Sequence, residues 1–210
     1  MKARMIILLP IIVIVLLILI DFIISFPKYK KELSFWENKL LSYKTDIIET
    51  RNGKIEYVKS GEGFPILISH GINGGFDQCL GMSEMYIGHD YEIISVSRFG
   101  YLGTPLPKDS SPEAQADAYV SLLDHLSIQR VYIFGNSAGG TSAIQFALHH
   151  PDRCAGLILL SSNVPSEETL PPKPLMRMIF GSNYLYWKTV TTFNRKMLSM
   201  FIPSNAESRL

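Results

Sequence analysis

From Met5 to Phe26 the chain reads MIILLPIIVIVLLILIDFIISF, with Asp21 as its one charge. At about 1.5 Å per residue a helix over this stretch spans about 33 Å, close to the hydrocarbon thickness of a bilayer. No face of that helix is polar, so the pattern predicts a span that crosses a membrane rather than a helix lying on it. A cleaved signal peptide competes, because Lys2 and Arg4 form a basic leader. The run is too long for one, however, and Ser25-Phe26-Pro27 offers no small-x-small cleavage site. A buried core helix is disfavoured by Lys2 and Arg4 before the run and Lys28, Lys30 and Lys31 after it. The excess of lysine beyond the span leans toward a cytoplasmic domain and leaves the side of the membrane open. Between Lys30 and Tyr43, Leu33, Trp36, Leu40 and Leu41 recur at helical spacing among charged residues, which predicts a short amphipathic helix. Residues 27–45 therefore read as a juxtamembrane linker, with Tyr29 and Trp36 suited either to the membrane interface or to the domain's own surface.

From Asp46 the period changes. Asp46–Glu49 and Lys54–Val58 flank Arg51-Asn52-Gly53, a hairpin signal. Phe64–Ser69, Tyr91–Val96, Val131–Phe134 and Cys154–Leu160 are short apolar runs of the kind buried on both faces of a sheet. Helices are expected between them: around Phe76–Met85, after the Ser111-Pro112-Glu113 start, and over Ala138–His149. Strands alternating with helices imply an α/β fold with a mostly parallel sheet and helices on both faces, over residues 46–162. Ligands in such sheets sit beyond the carboxyl ends of the strands. The prolines at 165, 171, 172 and 174 mark the exit from the sheet. Residues Leu175–Ile202 then carry a run of Met and aromatic side chains, so 163–210 reads as a partial helical lid suited to an apolar acyl group.

Composition narrows the function classes. With 20 Lys+Arg against 19 Asp+Glu the net charge is +1, which argues against a nucleic-acid partner. At 47% hydrophobic and 19% charged residues, disorder is excluded. Two cysteines, Cys79 and Cys154, make neither a disulfide scaffold nor a metal site, and no metal or cofactor is expected.

The sharpest chemical signal is Gly135-Asn136-Ser137-Ala138-Gly139, a G-x-S-x-G pattern between a strand and a helix. A turn this tight strains Ser137 and lifts its hydroxyl above the sheet, and the flanking glycines let neighbouring backbone approach. The second signal is His70-Gly71-Ile72-Asn73-Gly74-Gly75, directly after the Phe64–Ser69 strand. Acyl transfer needs N–H donors for a tetrahedral oxyanion. One is expected from Ala138 and another from this loop.

These two motifs, with Ser97-Arg98-Phe99-Gly100-Tyr101-Leu102-Gly103-Thr104-Pro105 and His150-Pro151-Asp152-Arg153, resemble the α/β-hydrolase fold family over residues from about Asp46 to Ser162. The resemblance implies an esterase- or lipase-type serine hydrolase. Ser137 would be the nucleophile, Ile72 and Ala138 the oxyanion donors, and His70 a support of the oxyanion loop rather than a base. Its expected partners are a small-molecule ester or amide with an apolar acyl group, and the lipid bilayer. Serine at the nucleophile position argues against the family's dehalogenases and epoxide hydrolases.

The family's order is Ser, then Asp or Glu, then His. Here no histidine follows His150. His149 and His150 lie about 18–20 Å down the helix from Ser137, and His89 and His125 belong to the opposite edge of the sheet. Glu167 and Glu168 are candidates for the acid. The expectation is the amino-terminal two-thirds of a hydrolase, with the base beyond Leu210. The rival expectation is a non-catalytic membrane protein that keeps the fold as a binding module.

Overall fold

The computed structural model describes residues 2–72, 74–162 and 174–201. They group into two compact units, one of Tyr43–Glu167 and one of Met1–Ser42 with Glu168–Leu210. The Glu167 and Glu168 candidates lie outside the described residues, as do three of the four prolines at the sheet exit.

In the second unit the apolar run and the amphipathic stretch after it form one helix, α1 (Lys2–Ser42), which passes through Pro10 and Pro27. The separate short helix expected from Lys30 is thus the continuation of the first. Pro27 deletes one backbone hydrogen bond, and the Lys-, Glu- and Leu-rich residues that follow favour continued helix. Side chains from Ile11 to Ile24 are exposed, and the helix is long and apolar enough to cross a membrane. The run from Leu175 folds as two helices, named below as α5 (Pro174–Phe180) and α6 (Asn183–Phe201).

The Tyr43–Glu167 unit holds a six-stranded sheet. In chain order its elements are β1 (Asp46–Thr50), β2 (Gly53–Ser60), β3 (Phe64–Ser69), α2 (Phe76–Tyr86), β4 (Tyr91–Val96), α3 (Pro112–His125), β5 (Val131–Asn136), α4 (Gly139–His149) and β6 (Cys154–Leu160). The spatial order is β1-β2-β4-β3-β5-β6. The sheet is mixed: β3 to β6 pair in parallel, while β1–β2 and β2–β4 are antiparallel. Arg51-Asn52 makes the expected hairpin turn, with Gly53 at φ +110°.

Period-2 alternation sorts the strand residues to two faces. Leu67, Ile94 and Ile133 meet Tyr119, Leu122 and Leu123 of α3 and Ala143 and Phe146 of α4. Ile66, Ile68, Ile93 and Phe134 meet Cys79 and Met82 of α2. Each such fully buried aliphatic or aromatic side chain contributes about 1.5–3 kcal/mol. Ser111 caps α3 as its sequence suggested, its Oγ accepting from the Ala114 N–H at 3.2 Å.

One expectation changes. The apolar run Cys154–Leu160 predicts a buried strand, but Leu157, Ile158 and Leu159 are 39%, 40% and 43% exposed. The cause is position: among the described residues β6 pairs with β5 alone and forms the sheet edge.

Candidate active site

Strand pairing builds the site. Ser69 at the end of β3 lies opposite Gly135 near the end of β5, which brings the loop after β3 beside the turn after β5. In that turn Ser137 has φ +49°, a left-handed backbone that a residue with a side chain adopts at a cost. Hydrogen bonds hold it there. Ser137 N–H donates to the Leu160 carbonyl at 3.0 Å, and Gly140 N–H donates to the Ser137 carbonyl at 3.1 Å. The motif glycines serve close approach. A Cβ on Gly135 would stand 2.7 Å from Gly140 Cα, and one on Gly139 would overlap the Ser69 carbonyl oxygen. The first lets α4 pack on its own strand, and the second lets α4 begin against β3.

The His-Gly loop sits directly over this turn. A Cβ added to Gly71 would stand 3.1 Å from Ser137 Cβ. His70 is fully buried, and both its ring nitrogens are in use. Nε2 accepts from the Arg98 N–H at 2.9 Å, so the proton is on Nδ1, which donates to the Gly71 carbonyl at 2.7 Å. Burial pushes His70 down to about 4, and the Arg98 charge adds to this, so the ring is neutral at pH 7. Neither nitrogen is left for Ser137. Tyr101 packs edge-on against the ring at 4.8 Å, so the loop after β4 also braces the imidazole. Beneath the loop, the hydroxyls of Ser69, Tyr119 and Ser142 form a buried triangle with sides of 2.9, 3.1 and 3.3 Å.

Gln78 and Ser162 belong to the site and carry no sequence signal. Gln78 Oε1 accepts from the Gly71 N–H at 2.7 Å, and its Nε2 reaches the Ile72 carbonyl at 3.5 Å. Asn136, which precedes Ser137, approaches the same Oε1 at 3.5 Å. Gln78 thereby spans the loop and the turn. The only hint in the chain is a long amide in the first helical turn after a glycine-rich loop, where side chains point back along the axis. Ser162 Oγ donates to the Gly135 carbonyl at 2.8 Å and ties the end of β6 to the turn.

Gly71 N–H is thus occupied. Among the described residues no group accepts from the N–H of Ile72 or of Ala138, and no side chain hydrogen-bonds Ser137 Oγ. The other histidines stand apart. His149 closes α4, and His150 caps it and pairs with Asp117 at 2.8 Å; His125 closes α3, and His89 precedes β4.

The comparisons with known proteins agree with this architecture. The family model described as the alpha/beta hydrolase fold matches residues 65–204. An uncharacterized hydrolase of Bacillus subtilis (strain 168), YcgS, is 38% identical over 130 residues, covering 62% of this chain and 45% of that protein. A 2-hydroxy-6-oxononadienedioate/2-hydroxy-6-oxononatrienedioate hydrolase of Paraburkholderia xenovorans (strain LB400) is 28% identical over 157 residues, covering 71% of this chain and 53% of that one. The solved structure of an alpha/beta hydrolase fold protein from Nakamurella multipartita superposes with a TM-score of 0.58 at 30% identity, over 65% of this chain and 47% of that one. The chain spans about half the length of the curated relatives it matches. A strained serine between strand and helix, a His-Gly loop stacked over it, a mixed sheet helix-covered on both faces and a family match over most of the chain lead to one assignment: this chain belongs to the α/β-hydrolase fold family.

Proposed function

We propose that this protein is a membrane-anchored serine hydrolase acting on the carbonyl of a small-molecule ester or amide. The observation that carries the reading is the juxtaposition of Ser137, held at φ +49°, with the backbone N–H groups of Ile72 and Ala138, which no described group accepts. In this reading Ser137 Oγ attacks the carbonyl carbon and gives up its proton to a base. The carbonyl oxygen takes the negative charge and is held by the two N–H groups at the positive end of α4. Collapse of the tetrahedral species expels the alcohol or amine, and water then releases the acyl group from Ser137. Losing one oxyanion donor would cost ~2.7–4 kcal/mol of transition-state stabilisation. His70 holds the loop that presents Ile72 and keeps its proton on Nδ1. Carbonyl chemistry also suits the Paraburkholderia relative, whose named substrate carries an oxo group. Neutral charge gives no support to a nucleic-acid partner. The apolar, exposed stretch of α1 supports a single-pass anchor at the N-terminus.

The second reading, a binding protein that keeps the fold, is favoured by the Ser137 hydroxyl having no hydrogen bond among the described residues and by the full occupation of His70. One experiment separates the two. The protein is treated in its native membranes with a fluorophosphonate, and the adduct is mapped by mass spectrometry. The hydrolase reading expects the adduct on Ser137 and none in Ser137→Ala. No adduct on the wild type, with the protein folded, establishes the binding module instead. Labelling that disappears in His70→Ala but survives in His70→Gln marks His70 as a support, whereas equal loss in both makes it a base.

A further inference from the structure

Asp21 is the one charge between Met5 and Phe26, and it does not stand alone. Lys188 Nζ of α6 donates to its carboxylate at 2.7 Å. One turn further along α1, Ser25 Oγ donates to the Asp21 carbonyl at 2.7 Å, so the Tyr184 hydroxyl, 2.6 Å away, is the donor to Ser25. The Tyr184 ring lies against Phe22, Phe26 and Tyr29 at 5.2, 5.7 and 5.5 Å. Trp187 lies tilted against Tyr29, 5.6 Å between ring centres, and donates its indole N–H to Glu32 at 2.6 Å. Ser25 and Tyr29, at 6% and 8% exposure, are buried and Phe26 is half-buried, while the other residues from Asp21 to Glu32 are exposed. Helix α6 is therefore fastened to α1 between Asp21 and Glu32, by an ion pair, two further side-chain hydrogen bonds and an aromatic cluster.

That stretch is where α1 changes from uninterrupted aliphatic residues to Lys28, Lys30 and Lys31. In a spanning helix, aromatic rings followed by lysines mark the level of the headgroups. Whatever α1 carries at that height is carried to the surface of the bilayer. Helix α5 is joined to α6 by Gly181-Ser182, and its Phe180 ring lies 5.6 Å from Tyr186. It exposes Leu175, Met176, Met178 and Phe180 with Arg177 among them. Four large apolar side chains around one cation suit the boundary of acyl chains and phosphates, where the chains take the apolar groups and the phosphate takes the guanidinium.

We propose that α5 and α6 form a lipid-contacting platform, clamped to α1 through Tyr184 and Lys188, with the apolar side chains of α5 seated in the interfacial layer of the bilayer. The proposal rests on the reading of α1 as a membrane anchor. It makes the membrane surface, rather than bulk water, the surroundings of α5.

The test uses the whole chain in phosphatidylcholine–phosphatidylglycerol vesicles. Trp36→Phe leaves Trp187 as the one tryptophan, since the chain has 2. Emission from Trp187 is expected to be lost in vesicles whose lipids are brominated near the carbonyl end of the acyl chains, and spared by aqueous iodide. Lys188→Glu, which sets like charge against Asp21, should restore quenching by iodide while the protein still pellets with vesicles after carbonate. In a Trp36→Phe, Trp187→Phe background, Met178→Trp should also lose emission to brominated lipid. A carbonate-resistant protein whose probes at 187 and 178 are open to iodide and blind to bromine overturns the platform and leaves the anchor standing. Release of the protein by carbonate overturns the anchor and the platform together.

Discussion

His70 combines three properties that belong together: it is buried, neutral, and bonded at both nitrogens. A doubly bonded neutral imidazole makes a firm support and a poor base, because protonating Nε2 would turn the acceptor of the Arg98 N–H into a second donor. The same arrangement makes stability depend on pH. Burial lowers the folded pKa from 6.5 to about 4, so between those values the unfolded chain binds the extra proton and the folded chain does not. Stability then rises with pH across this window and is lost as pH falls through it. A shift of that size corresponds to about 3 kcal/mol, fully lost below the folded pKa. Urea unfolding followed by circular dichroism from pH 7 to pH 4 should show this fall in the wild type. In His70→Gln, which keeps a donor and an acceptor without titrating, the slope over the same window should flatten. An unchanged slope would assign the acid sensitivity to other groups. Gln78 teaches the complementary lesson: its amide is ordinary in the sequence, yet in the fold it engages both Gly71 and Ile72.

At the scale of elements, β3, β4 and β6 have the residue limits that their apolar runs suggested. Burial followed a different rule. The apolar runs of β3 and β6 look alike in sequence, but β3 lies between β4 and β5 while β6 has a single described neighbour. An apolar edge with unpaired backbone groups templates association with another strand. Residues 43–167 expressed alone should therefore associate, as seen by light scattering at micromolar concentration. Leu157→Lys with Leu159→Lys should reduce that association, because lysine on an edge disfavours pairing. A monomeric, cooperatively melting unit without the lysines would show that the exposed edge does not drive assembly.

For the whole molecule, the anchor reading has its own outcome. A helix that is apolar and exposed from Ile11 to Ile20 leaves that surface to be covered, and lipid covers it at no polar cost. The protein should sediment with membranes and resist carbonate. A soluble form beginning near Lys28 would revive the signal-peptide reading. The clamp between α1 and α6 adds a reason for retention beyond hydrophobicity, since Asp21 enters the boundary already paired with Lys188.

Short-range chemistry wrote the parts that were legible in the chain. Strand limits follow from apolar runs bounded by turn residues, the start of α3 from Ser111 and Pro112, and the Ser137 turn from glycines at fixed offsets. All of these depend on neighbours within a few residues, so they survive in one dimension. Tertiary structure alone decided that β6 is an exposed edge among the described residues, that Gln78 spans two loops, that His70 has no free nitrogen, and that α6 is fastened to α1 across some 160 residues of chain. Those outcomes depend on which groups meet after the chain has crossed over itself. Residue spacing does not encode such meetings, because a hydrogen bond is selected by where its partner finally lies.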